Sequence, residues 1–544
     1  MNKDKKLIGD GILLTLTTLA LKTAGVMFSA RLAAAAGAEA MGLSSQIMSV
    51  YSFAVTAAAA GVHLGAMRLT SESRGAGRSD EIRSGVRCAL RYCAVTGLFT
   101  ALVLFVLSPL LATRLIGNPE AILPLRVLAV AIPCISASGA FHGYFNGVRR
   151  VYKSAAVNVT EQTVRISLTL SGLYGLSGGH SPMPHSLTVF VNRSTEALLR
   201  LQSIFSPGIA EQSPMGAACL TVVFGSVCAE AFSFLLLLTL YCFDSKRYPK
   251  HPALSHGTRQ SLTPKFLHIT APMAVSALLR SGLSSAEHLL LPAGLRRFGS
   301  ENALAEYGIV GGMAIPVILY PMALMNAFAQ LNTVDIAARV SAGESKREIL
   351  DRVSRGISFA LVYGIGCSAL LRAFAYPLSN AIFPNENAGE YIAALSAYAA
   401  LAYLDHIVDS MLKGLDCQGY VMKINIADSA LGLLCTATLV PMLGVGGYII
   451  SLYLCEFVNC LFSMGKLMSV LGFFPNLLDT AILPALTAAL SVALMSFLGI
   501  AALPVIPALL LTASFYVSAT VLVRRAANGA RLCIRGCRSN RERS

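Results

Sequence analysis

Apolar stretches on the order of 20 residues long recur along the whole chain, separated by short polar connections. They lie near 8–35, 44–70, 88–113, 123–145, 155–177, 217–243, 266–293, 303–331, 354–377, 391–414, 423–443, 446–469, 479–500 and 504–523. A helix of that length spans the hydrocarbon core of a bilayer. In hydrocarbon each backbone amide has to find its partner within its own segment, so the stretches should be helices. The pattern predicts an all-α integral membrane protein with about 14 transmembrane helices. Pro109, Pro133, Pro272, Pro316, Pro321 and Pro377 lie in or beside these spans, where kinks often border cavities. The longest polar connection, 178–216, is expected to be an outer surface loop.

Composition agrees. The chain is 55% hydrophobic and 13% charged, against about 25% charged in soluble proteins. Mean hydropathy is +0.64. Helices and connections use up nearly all of the 544 residues, which leaves no room for a large soluble domain. The start, MNKDKK and then an apolar run with Ala33 to Ala36 beyond it, has features of a signal peptide. The run outlasts a signal-peptide core and similar helices follow, so an uncleaved first helix is expected.

Net charge is +15, but its placement argues against nucleic acid as the partner. Lys and Arg gather in alternate connections: Lys3, Lys5 and Lys6; Arg74 to Arg87; Arg149 to Lys153; Lys246 to Lys265; Arg339 to Arg352; and a tail from Arg524. The positive-inside rule places these, and both termini, in the cytoplasm, which requires an even number of spans. The tail reads as a topology and lipid-surface signal. The 13 cysteines fall mostly within apolar segments or on the cytoplasmic side, so structural disulfides are not expected. Cys533 and Cys537 lack further ligands for zinc. Without Trp, interface anchoring is assigned to Tyr92, Tyr241, Tyr376 and Tyr403.

The chain repeats itself six helices apart. GAEAMGL (Gly37 to Leu43) follows the first helix and FGSENALAEYG (Phe298 to Gly308) follows the seventh. HGYFNG (His142 to Gly147) ends the fourth, and KGLDCQG (Lys413 to Gly419) ends the tenth. Glu230 follows Cys228 in the sixth, and Glu456 follows Cys455 in the twelfth. An offset of six spans preserves orientation, so the halves should be related about an axis along the membrane normal. The expected division is 1–243 as an N-terminal lobe, 244–265 as a cytoplasmic linker and 266–469 as a C-terminal lobe. Two further helices within 470–525 and a basic tail at 526–544 follow. Gly143 to Gly147 is a GxxxG, read as close helix packing.

These segments resemble the MOP flippase superfamily, which includes polysaccharide exporters, lipid II flippases and MATE antiporters. Within it they are most similar to polysaccharide biosynthesis proteins of the stage V sporulation protein B type. The resemblance rests on the GAEAMGL turn, on Ser49 to Glu72, on Leu125 to Arg150, on TEQTVRI (Thr160 to Ile166) and on Ala271 to Gly299. Two departures are His142, where the phrase would carry Arg, and the enlarged 178–216 loop. The resemblance implies two pseudo-symmetric six-helix lobes around a central cavity, plus two C-terminal helices. It also implies transport of an undecaprenyl-diphosphate-linked saccharide from the cytoplasmic to the outer leaflet of the bacterial cytoplasmic membrane.

Charges within spans carry the chemistry. Each costs about 2.5–3.5 kcal/mol at the centre of a helix and normally faces a cavity. Arg280 and Glu287 lie two turns apart on one face of the seventh helix. Arg31 and Arg68 lie toward the ends of the first two. Arg binds phosphate through forked donors, so Arg280, Arg31 and Arg68 are candidate diphosphate ligands, with Glu287 also in the cavity. Arg280 leads because it is deepest, whereas snorkelling to the interface is the alternative for Arg31 and Arg68. Glu161 and Arg165 share a face of the fifth helix and read as a structural pair. Asp405, Asp409 and Asp428 are candidates for a coupling Na+ or H+, or else are solvated near the inner face; the membrane potential is the other possible drive. No cofactor or catalytic residue is expected, since the chain lacks a P-loop, an HExxH and a Ser-His-Asp constellation.

Two rival functions remain open at this level. A MATE-type antiporter of small organic cations should have an acidic, Arg-poor cavity. A membrane scaffold that recruits glycan-synthesis enzymes would not need charges buried within its helices. The expected partners are the lipid-linked saccharide, membrane lipids and glycan-synthesis enzymes, and not nucleic acid.

Overall fold

The computed structural model describes residues 2–75, 79–176, 213–246, 262–383, 387–473, 478–499 and 503–541, together with Val191 and Arg193. Most of the 178–216 connection and of the 244–265 linker therefore lies outside the described residues. Among the described residues every regular element is helical.

We number the helices by span. α1 (2–36) and α2 (38–59, continued by Val62–Gly75) meet at Gly37, whose φ of 78° breaks an otherwise continuous helix. Glycine takes that conformation without steric cost, so the GAEAMGL turn can redirect the chain there. α3 is Ser79–Leu110, α4 Ile122–Gly147, α5 Val151–Leu176, α6 Pro214–Ser245 and α7 Leu262–Phe298. α8 comprises Ala303–Tyr307, a π-helical turn and Ile315–Ile318, then bends by 55° into Met322–Ser341. α9 is Lys346–Ala373, and α10 is the bent pair Gly389–Leu395 and Tyr398–Gly414. α11 is Gln418–Leu443, α12 Val445–Leu471, α13 Leu483–Phe497 and α14 Val505–Arg541.

Ten described helices are long and apolar enough to cross a membrane, or up to 12 with the two bent pairs. One of them joins α1 to α2 across Gly37. α5 is long enough at 26 residues, but Glu161, Gln162 and Arg165 make it more polar. With these, each stretch expected from the sequence has its helix. The chain is a multi-pass membrane protein.

Contacts divide the chain into two compact units: 16–312 with 429–448, and 313–428 with 449–544 and the first 15 residues. In the first, Leu43, Ile47, Leu125, Leu128 and Ile132 are wholly buried between α2 and α4. A β-carbon on Gly143 would overlap the His63 carbonyl, and one on Gly147 would press on Thr70 and the Met67 carbonyl. The GxxxG of α4 thus lets its backbone touch α2, as small-residue motifs do in membranes. α3 turns an apolar stripe outward, with Val95 70% and Phe99 66% exposed and Leu102 and Val106 alongside. A face that apolar and that open is solvated by lipid. Ser213 caps α6, its Oγ accepting from Gly216 N at 3.3 Å. It also binds the Glu120 carboxylate, which anchors the chain beside the start of α4.

In the second unit, Ser345 and Glu348 form a capping box that starts α9. The bend in α8 frees carbonyls that tyrosines satisfy: Tyr403 Oη donates to Ile318 O at 2.6 Å and Tyr363 Oη to Pro321 O at 2.9 Å. Tyr403 is therefore fully buried and is not an interface anchor, contrary to the reading from the sequence. In a low dielectric, pairing those carbonyls outweighs whatever the phenol would gain at the headgroups. Tyr376 does stand exposed. Tyr516 Oη donates to Val362 O at 2.7 Å and ties α14 to α9.

Candidate functional site

α7 is fixed to α2 along one side. Ser285 Oγ donates to Ser49 O at 3.0 Å, Gly282 meets the Phe53 ring, and Phe266 and Thr270 fill the space beside Gly65. Arg280 lies roughly 160° around the helix from Gly282, so it points away from the Gly282–Phe53 contact. It stands 18 residues from either end of α7, is exposed, and makes no hydrogen bond or ion pair among the described residues. Glu287 shares its face about 10 Å farther along. Thr436 Oγ1 donates to Glu287 Oε1 at 3.4 Å, and the carboxylate packs against Gly432 of α11. The two charges therefore share a face without sharing partners: α11 occupies Glu287 and leaves Arg280 open.

Arg31 is exposed and unpaired among the described residues. Arg68 is engaged: Nε donates to Glu72 Oε1 at 2.9 Å, and Lys265 Nζ meets the other carboxylate oxygen at 2.7 Å. With its side chain 62% exposed, Arg68 belongs to a surface charge network.

Glu161 and Arg165 do pair, and a third group joins them. Arg165 Nη2 donates to Glu161 Oε1 at 2.7 Å and to Glu230 Oε1 at 2.9 Å. One guanidinium thus serves carboxylates from α5 and α6. Tyr51 of α2 lies within electrostatic reach, and its buried hydroxyl has no hydrogen-bond partner among the described residues. In the sequence Glu230 served only as a repeat marker. The cost of a charge within a span, which singled out Glu161, applied equally to Glu230 and would have found it.

In the other unit, Asp405 and Asp409 of α10 are both buried rather than solvated. Asn459 Nδ2 of α12 donates to Asp405 Oδ2 at 3.0 Å. Asp409 accepts from Asn425 Nδ2 at 3.0 Å and from Ser463 Oγ at 3.3 Å, with Lys413 Nζ 3.9 Å away. Asp405 Oδ1 and Asn459 Oδ1 are buried with no hydrogen-bond partner. Asp428 of α11 is half-buried and lies within electrostatic reach of Asp405. The amide partners could not be foreseen from spacing, because they come from α11 and α12. Among the described residues no group of three metal-binding side chains is present.

Residues 7–198 match the profile of the family described as polysaccharide biosynthesis protein. Stage V sporulation protein B of Bacillus subtilis (strain 168) is 22% identical over 421 residues, covering 76% of this chain and 74% of that one. The lipid II flippase MurJ, in an inward closed conformation, superposes with a TM-score of 0.64 at 10% identity, over 95% of this chain and 99% of its own. An inward-facing multidrug resistance MATE transporter of the MOP superfamily gives 0.61 at 14% identity, over 84% and 99%. The resemblance to the MOP superfamily read from the sequence therefore extends to the fold.

Proposed function

We propose that this chain, a multi-pass membrane protein with the fold of MOP transporters, is a flippase. Its cargo is an undecaprenyl-diphosphate-linked oligosaccharide or peptidoglycan precursor, carried across the bacterial cytoplasmic membrane by alternating access. The route serves polysaccharide, cell-wall or spore-cortex synthesis. Support for the substrate class comes from the names of the relatives: a polysaccharide biosynthesis family, a sporulation protein and a lipid II flippase.

The single observation that carries the reading is Arg280. An arginine at the middle of a membrane helix is costly, and without a protein partner it is expected to face an aqueous path or a ligand. Its forked guanidinium suits a diphosphate. Arg31 is the second ligand in this proposal. Arg68 contributes less, because Glu72 already engages it. The two lobes, the cytoplasmic termini and the cavity between the lobes belong to the same proposal. Glycan-synthesis enzymes would supply or consume the cargo.

The second reading, an antiporter coupled to Na+ or H+, draws on the buried Asp405 and Asp409. It assigns those carboxylates the coupling ion and requires a cationic cargo, for which the open Arg280 is a poor host. A scaffold role leaves Arg280 without a purpose. Complementation of a flippase-deficient strain by Arg280→Ala tests the first reading. Transport should be lost with abundance unchanged, and full activity would remove Arg280 from the head-group site.

A further inference from the structure

A pocket of about 720 Å³ lies within the second unit, apart from the charges described above. Three helix faces line it. α9 contributes Ile365, Ser368, Ala369 and Arg372, and α10 contributes Glu390, Ala393, Ala394 and Ala397. Each set follows i, i+3, i+4, i+7 spacing, so each is one stripe of its helix. α13 closes the third side with Ala485, Ala488 and Ala489. The charged side chains of the lining stand at one end only, while Ser368 and Ser396 are the neutral polar groups deeper in. Arg372 lies in the last turn of α9 and Glu390 in the first turn of α10, so both charges sit beside the connection between these helices. Ile365 and Ala397 lie seven residues deeper, about 10 Å along each helix.

Arg372 and Glu390 are both exposed, and neither forms an ion pair among the described residues. Two opposite charges thus open onto one mouth without neutralising each other, beside the exposed Tyr376. The wall of small side chains below them includes the 49° break in α10 at Ser396 and Ala397. That break is itself satisfied: Ser396 Oγ donates to Ala393 O at 2.8 Å and Tyr453 Oη to Ala394 O at 2.8 Å. The pocket therefore offers a cation and an anion at its mouth and an apolar slot beneath. Ser368, on the same wall, keeps a hydroxyl with no hydrogen-bond partner.

We propose that this pocket binds an aminophospholipid of the phosphatidylethanolamine type. Its phosphate meets Arg372, its ammonium meets Glu390, and the start of its acyl chains fills the alanine-lined slot. Charge complementarity selects this occupant. A purely anionic head would be repelled by Glu390, and a trimethylated head has no N–H to donate to it. By the orientation expected from Lys346 and Arg347 at the other end of α9, the lipid belongs to the outer leaflet. The site does not depend on the transport reading, and either can fail alone.

Native mass spectrometry of the full chain, released from nanodiscs of equimolar phosphatidylethanolamine, phosphatidylglycerol and phosphatidylcholine, tests it. The wild type should retain phosphatidylethanolamine over either competitor by on the order of tenfold, the size of one charge-assisted contact. Glu390→Gln should abolish that preference, and Arg372→Gln should release bound phospholipid of every class. Ala394→Leu, which fills the slot and leaves both charges, should also reduce retention. Glycerophosphoethanolamine, which has the head but no tail, should not displace the lipid at equal concentration. Each variant is compared at matched melting temperature. Equal retention of the three lipids by the wild type, displacement by the tail-less head, or an undiminished preference in Glu390→Gln would overturn the proposal.

Discussion

Arg165 and Glu230 stand 65 residues apart in the chain, yet their side chains meet at 2.9 Å between α5 and α6. The same guanidinium nitrogen holds Glu161 at 2.7 Å. Arg165 is thus the common counter-charge of two largely buried carboxylates. Arg165→Ala leaves both without it, a loss on the order of 3–5 kcal/mol for a buried pair. We expect a marked fall in melting temperature in detergent. Adding Glu161→Gln and Glu230→Gln to that variant should recover much of it, because the uncompensated charges disappear.

The contact between α4 and α2 gives a sharper steric contrast. Gly147→Val should destabilise the protein by at least about 1–3 kcal/mol, since its side chain would enter the space of Thr70 and the Met67 carbonyl. Gly139→Ala, in the same helix with nothing within 4 Å of its new β-carbon, should be neutral or stabilising by up to about 1 kcal/mol. Thermal unfolding of the pair distinguishes a packing role for the GxxxG from a general sensitivity of α4.

Asp405→Asn and Asp409→Asn remove charge while nearly preserving shape. If these carboxylates hold the coupling ion, transport should lose its dependence on an imposed Na+ or pH gradient while abundance stays unchanged. Gradient dependence that survives in both variants would assign them to structure alone. Asp405 is the more informative, because Asn459 engages only one of its oxygens.

The helices and much of their order were legible in the sequence because lipid imposes one strong rule, a span of apolar residues for each crossing. α5 was legible as well, although Glu161 and Arg165 lower its hydropathy, because the apolar stretch 155–177 runs the length of a crossing around them. Partnerships were less accessible. Spacing within a helix gave Glu161 with Arg165, but not Glu230, which arrives from another helix. Nothing in the local pattern placed Asn459 on Asp405, or sent Tyr403 inward to the carbonyl freed by the bend in α8. Such contacts are fixed by helix packing, which a period of 3.6 residues does not encode. Spacing puts Arg280 and Glu287 on one face, but the cover that α11 places on Glu287 could be seen only once the helices were packed.

The most direct measurement follows a fluorescent undecaprenyl-diphosphate saccharide in sealed vesicles, using a membrane-impermeant quencher to report its leaflet. Vesicles carrying the wild-type protein should move the label across the bilayer, and vesicles carrying Arg280→Ala should behave as protein-free ones do. Movement by the variant at the wild-type rate, or none by the wild type across the ion gradients and membrane potentials tested, would contradict the account.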